Sequence, residues 1–463
     1  MTQDSKPLPK MSLQECIATA RQCEAAQDID GARVIMLQML ADTPHNVHLW
    51  VIWLQLLLRT APAEEALSES TKARAHFPGN PLIMDVSVAA LLAGGRNEDA
   101  HDLVNKLHSD HPEHPINHDR LSRIYRLALT ARCERIGKNA SMPEGEKIRA
   151  ISDILHRHFR FLKELFAARN IGLIFVNGNC QSWPLMRILN SHTPLRERYV
   201  SVCYKAIHTM TSLEMEAVRS VQDIFDIVLT QNIRSRSKYA PLVTSDLRDA
   251  IPGTLLTYPT CWFSGYFPDA FAPSGVACPP FPLALHSVTV FRSFLAKKSP
   301  RQAVDGFENA KIGHAAIKQN LEKNLAELDE RDEGLDIRIT DHIRDTFRKA
   351  PLFYTFNHCA VDVLGEIANR ICAHLSLPPI GKRDLAPYEG LNGVAWHVAD
   401  EVRDCLGLRF ARDHFVLQKK PLSRAEFVRS SYAYYAKLSA DVLEMINCGI
   451  KDSGGTIHEA EAT

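Results

Sequence analysis

The stretch "IGLIFVNGNCQSWPLMRILN", residues 171–190, decides how this chain is read. Its first half is an apolar run of strand length; it breaks at Gly178, Asn179, Cys180 and Gln181, then restarts as an amphipathic helical pattern. Three more apolar runs, "RYVSVCY" (198–204), "FDIVLTQNI" (225–233) and "GTLLTYP" (253–259), alternate with helical patterns in the same way. Strands joined by crossover helices make a parallel sheet covered on both faces, so this part of the chain reads as α/β. Ligands of such sheets lie at the carboxyl ends of the strands, where a strand-to-helix turn offers backbone N–H groups. The break at 178–181 is therefore the candidate site. Gly178 permits a tight or positive-φ backbone, Asn179 can cap, and Cys180 would stand near a helix N-terminus that favours its thiolate.

Upstream the pattern changes. Prolines fall at Pro44, Pro78 and Pro112, and alanines at Ala32, Ala66 and Ala100, so both series step by 34 residues. This phase resembles the tetratricopeptide repeat, in which a small residue sits within the second helix of each pair and proline follows that helix. Three degenerate repeats and a capping helix at about 116–134 are expected, with a surface for a protein partner or self-association. The histidines of "HSDHPEHPINH" (His108, His111, His114, His118) are expected to be turn residues and not metal ligands, because two prolines break the face that would bring them together.

Composition narrows the function classes. Lysine plus arginine equals aspartate plus glutamate at 54 each, so no overall field favours nucleic acid or an anionic membrane. The apolar "LWVIWLQLLL" (49–58) is too short to span a bilayer, and the polar start "MTQDSKPLPK" lacks the pattern of a signal peptide. Eleven cysteines without a C-x-x-C pair suit a reducing compartment, which makes the expected location cytoplasmic. The expected organisation is a disordered tail (1–10), helical repeats (11–134), a connecting helix (135–169), the α/β catalytic domain (170–415), C-terminal helices (416–450) and a second disordered tail (451–463).

Four blocks carry a resemblance: "VNGNCQSWPLMRILN", "FDIVLTQNI", "YPTCWFSGYFPD" (258–269) and "LFYTFNHCAVDVLGEIANRI" (352–371). In this order they resemble the WcbI family of polysaccharide-biosynthesis acetyltransferases, bacterial proteins that bind coenzyme A on a fold reminiscent of the SGNH hydrolases. One departure is Cys359, where the family often has proline. The resemblance implies that Cys180 stands at the nucleophile position and His358 at the last-block histidine, a pair able to attack or deprotonate. Gln231 and Asn232, at a strand end, are placed to donate to an oxyanion. Gly178, Asn179 and Gln181 would line the coenzyme side together with the cations Arg234, Arg236 and Lys238, which coenzyme A phosphates require. Ser264, Gly265, Tyr266 and Asn357 would line the acceptor side. The expected activity is transfer of an acyl group, acetyl by the resemblance, from coenzyme A to a sugar in capsule or other surface polysaccharide synthesis, without a metal. Two alternatives stay open: an SGNH-like carbohydrate esterase and a non-catalytic adaptor working through the repeats.

Overall fold

The computed structural model describes residues 13–115, 117–234, 237–271, 285–385, 388 and 390–452. The chain forms two compact units, Met1–Pro143 and Glu144–Thr463. Both tails expected to be disordered fall almost wholly outside the described residues.

The first unit is a series of helix pairs: α1 (Leu13–Ala25) with α2 (Ile29–Asp42), α3 (Val47–Thr60) with α4 (Ala63–His76), and α5 (Pro81–Ala93) with α6 (Asn97–Asp110), followed by α7 (His118–Lys138). The 34-residue step is the step of these pairs. Pro44, Pro78 and Pro112 each follow the end of a second helix by two residues, where proline cannot continue the helix. Ala32, Ala66 and Ala100 have essentially no exposed surface, because the partner helix leaves room for one methyl. Asn46 and Asn80, also 34 apart, open α3 and α5 by accepting two backbone N–H groups each. The apolar 49–58 run lies within α3, whose Leu49, Trp53, Leu54 and Leu57 fill the core. Ion pairs join consecutive pairs at about one period: Arg59 to Glu24, Arg33 to Glu65, Arg120 to Asp85 and Arg132 to Glu98. No described helix is long and apolar enough to cross a membrane.

The second unit begins earlier than the sequence suggests. The helix read as a connector, α8 (Glu144–Ala167), buries Ile151, Leu155, Phe159, Leu162 and Phe166 in the α/β unit. Phe159 meets Phe175 and Phe225 with ring centroids 5.8 and 5.0 Å apart, and Lys163 pairs with Asp226. A free connector would leave that stripe in water, so α8 is a wall of the sheet. The sheet itself is parallel throughout, in the order β2-β1-β3-β4, with β1 at Gly172–Asn177, β2 at Tyr199–Val202, β3 at Ile227–Gln231 and β4 at Thr254–Tyr258. Every residue of β3 and all but the first of β1 are buried, which explains their unbroken apolar sequence.

The last third closes the same core. The helix Arg424–Tyr435 buries Phe427, Val428 and Tyr435, and the Tyr435 hydroxyl lies 2.9 Å from Nδ1 of the buried His286. Burial lowers the His286 pKa from 6.5 to about 4. Below pH 6.5 the unfolded chain therefore takes up a proton that the native state refuses. The contribution of this site is complete above pH 6.5 and falls by about 3 kcal/mol as the pH drops to 4. Urea unfolding across that window should show the slope in the native sequence, and His286→Phe should flatten it.

Candidate functional site

Strand order fixes where a ligand can sit. From β1 the chain crosses to β2 on one side, and β3 lies on the other, so the carboxyl ends of β1 and β3 part at a topological switch point. Residues 178–181 leave β1 there and lead into α9 (Ser182–Ser191).

The Gln181 side chain organises the turn. Fully buried, it donates from Nε2 to the carbonyls of Cys261 at 2.7 Å and Asn357 at 2.9 Å. Its Oε1 accepts from the Cys261 backbone N–H at 3.1 Å and from Gln231 Nε2 at 3.1 Å. One amide thus ties together all four sequence blocks that carried the resemblance. Gln231 completes the tie: its Oε1 accepts the Asn179 backbone N–H at 2.8 Å. Gln231 thus braces the turn through both ends of its amide and also lines the cleft beside it. Two further backbone donors of the turn are spent, with Gln181 N bonded to Asn179 Oδ1 and Ser182 N to Asn179 O. Gly178 is needed for contact and not for positive φ: a Cβ there would lie 2.5 Å from the Tyr258 hydroxyl and 2.9 Å from Gln231 Oε1.

Cys180 and His358 each adjoin the Gln181–Asn357 bond, one preceding Gln181 and the other following Asn357 in the hairpin Phe353–Thr355/His358–Cys359. Burial pushes the Cys180 thiol pKa up, against the pull of its own backbone N–H, so the expected lowering does not occur. Among the described residues no hydrogen bond joins this thiol to an imidazole; His358 Nδ1 is buried without a partner. Burial, and then the neighbouring His208, lower the His358 pKa, so its imidazole is neutral and basic at pH 7. Alkylation of Cys180 by iodoacetamide should accordingly still be accelerating at a pH where an ordinary thiol has levelled off. Peptide mapping by mass spectrometry reads this directly, and a plateau near neutrality would contradict the burial argument.

Beside the turn opens a cleft of about 440 Å³ lined by Asn179, His208, Gln231, Asn232, Arg234 and Arg331, with Thr260, Trp262 and Tyr239. The predicted Asn179, Asn232 and Arg234 are there; Cys180 and His358 are not among its lining residues. Arg236 lies outside the described residues, and only the backbone of Lys238 is described. Ser264, Gly265 and Tyr266 turn away from this cleft. Ser264 bonds Asn324 through both its N–H and its hydroxyl, a Cβ on Gly265 would strike the Phe263 ring, and the buried Tyr266 donates to Phe347 O at 2.6 Å. These three, expected to line the acceptor side of the site, form a packed loop that does not line this cleft. Asn357 acts through its carbonyl, and its Oδ1 accepts from Thr355.

Sequence reasoning missed His208, Trp262 and Arg331. Arg331 lies in the acid-rich segment 322–334, in the last turn of the helix His314–Asp332, where it donates to Trp262 O at 2.9 Å and pairs with Glu327. The only signal for it was the lone cation among acids in "ELDERDEG".

Comparison with known proteins agrees with this geometry. Residues 173–380 match the family model described as polysaccharide biosynthesis enzyme WcbI. A solved structure of WcbI, described as a novel polysaccharide biosynthesis enzyme in native form without a disulfide bond between coenzyme A and a cysteine, aligns with a TM-score of 0.53. It is 19% identical over 62% of this chain and 97% of its own, a likeness that shows the fold. A mutant O-GlcNAc transferase from Thermobaculum terrenum aligns over 95% of this chain and 93% of its own at 11% identity, but with a TM-score of 0.28 it carries no argument. No curated protein matches at a significant level. Through residues 173–380 this chain is similar to the WcbI family of polysaccharide biosynthesis enzymes.

Proposed function

We propose that this protein is an enzyme of bacterial surface-polysaccharide synthesis that binds an acyl-coenzyme A in the switch-point cleft and transfers the acyl group, acetyl in the simplest case, to a sugar hydroxyl. The observation that carries the reading is the cleft itself, at the carboxyl ends of β1, β3 and β4, with two arginines and an exposed indole in its lining, beside the turn that the neutral His358 adjoins through the Gln181–Asn357 bond. Arg234 and Arg331 each spend part of a guanidinium on a backbone carbonyl and keep other N–H groups for phosphate. Trp262, 36% exposed and backed by Phe356 at 4.2 Å, offers a face on which adenine can stack.

The chemistry follows from the two pKa directions. A thiol held protonated is a poor nucleophile, whereas a neutral imidazole is ready to take a proton. His358 removes the proton of the sugar hydroxyl, and the oxygen attacks the thioester carbonyl. The C–S bond breaks as the tetrahedral intermediate collapses, and the imidazolium returns its proton to the departing coenzyme A sulfur. Asn232 is the side-chain amide available to the oxyanion. The esterase alternative needs water as the acceptor and an acylated sugar in place of the thioester.

Calorimetry with coenzyme A and acetyl-coenzyme A tests the proposal. Arg331→Ala and Trp262→Ala should each weaken binding about tenfold, and unfolding should be little changed because both side chains are part-exposed. Absence of heat with either coenzyme would sink the proposal, and unchanged affinity in both variants would move the coenzyme out of this cleft.

A further inference from the structure

A second cavity, of about 190 Å³, shares no lining residue with the cleft. Its walls come from Tyr266–Asp269, Thr289, Phe307–Ile312, the segment from Trp396 to Glu401, and Arg424, so two of the five segments lie beyond residue 380, where the family match ends. Two polar groups meet there without partners. His397 is 7% exposed, and its Nδ1 is buried with no hydrogen-bond partner; the Nε of Arg424 is buried and equally unmatched. A buried polar group left without a partner destabilises the fold. A cavity that holds two of them is suited to a polar occupant.

The remaining surface selects the occupant. Phe267, Phe307 and Trp396 supply apolar faces, and the His397 ring stands edge-on to Phe307 at 5.2 Å. Four carboxylates, Asp269, Glu308, Asp400 and Glu401, outnumber the two cations Lys311 and Arg424, which disfavours an anion. The Arg424 charge in the wall disfavours a cation. Burial, and then the Arg424 charge, hold His397 neutral, with a pKa lowered to about 3. A hydroxyl suits both orphans, since it can accept from the Arg424 N–H and either donate to or accept from the imidazole. The C–H face of a ring lies well on aromatic side chains, and the volume equals about six waters.

We propose that this cavity binds a single neutral polyhydroxylated ring, the size of one sugar residue, as an anchoring site for the glycan at a distance from the chemistry. The ligand class rests on the cavity, and its tie to a glycan acceptor rests on the proposed function.

Saturation-transfer NMR on the full chain, with glucose as the neutral ring, glucuronate as the acidic one and inorganic phosphate, provides the test. Transfer to glucose is expected at millimolar concentration. It should be lost in Ala310→Leu, which fills the cavity from its part-exposed rim, and fall at least fivefold in Arg424→Met. It should persist in Arg234→Ala, which alters only the cleft. No transfer from glucose, or stronger binding of glucuronate or phosphate than of glucose, overturns the proposal. Transfer that survives Ala310→Leu but disappears in Arg234→Ala also overturns it by assigning the sugar to the cleft. Failure of coenzyme A to bind, with glucose transfer intact, would remove the proposed function and leave this cavity standing.

Discussion

The His358→Ala protein is expected to lose about 10²–10⁴-fold in acyl transfer while its affinity for coenzyme A stays unchanged, because only the proton acceptor has gone. Cys180→Ser should keep most of the activity, since the thiol is protonated and forms no hydrogen bond to the imidazole. That contrast separates direct transfer from an acyl-enzyme route, in which the two variants would fail alike. The pH profile gives an independent reading. The His358 pKa lies below the ordinary 6.5, so the native rate should hold steady as the pH falls past that value and decline only at the lowered pKa. His208→Ala removes a neighbouring positive charge and should move the acid limb upward. Full transfer by His358→Ala would end the proposal that this histidine is the base.

Gln181→Leu is the second large expected effect. Leucine fills similar space but strands the Cys261 N–H and carbonyl, the Asn357 carbonyl and the Gln231 amide in a buried setting. At about 1–3 kcal/mol for each unmatched group, with some relief by relaxation, a loss of roughly 3–5 kcal/mol is expected. Coenzyme A binding and transfer should disappear together, which distinguishes this variant from His358→Ala. Gln181→Glu keeps the acceptor half of the amide and should be milder. Thermal unfolding of the Leu variant at the native temperature would show that the four blocks are held by something else.

Much of the fold was legible because identical packing demands identical residues: the alanine that admits a neighbouring helix and the proline that ends one recur at 34 residues. The strands were legible because burial on both faces leaves no polar alternation. The site is harder to read from sequence, because the fold decides which way each side chain makes its hydrogen bonds. Gln231 and Ser264 are polar residues in the right blocks, but their hydrogen bonds are made inward, and sequence does not show which way an amide points. The reversed sign of the Cys180 shift has the same origin, since a helix N-terminus can be read from a pattern while the depth of burial cannot. Arg331, His208 and Trp262 reach one cleft from segments more than fifty residues apart, a convergence with no period to reveal it.

The ion pairs of the first unit, each spanning about one repeat, have a consequence for how that unit comes apart. Its favourable terms are almost all nearest-neighbour terms, so it behaves as a one-dimensional array whose ends loosen first. Amide exchange should be slowest in α4 and α5 and quicken toward α1. The same arithmetic makes length modular: inserting a second copy of one complete 34-residue unit repeats an interface that already exists, whereas an insertion of any other length puts arginine opposite the wrong neighbour. Such a unit can lengthen or shorten by whole steps in evolution without touching the catalytic sheet.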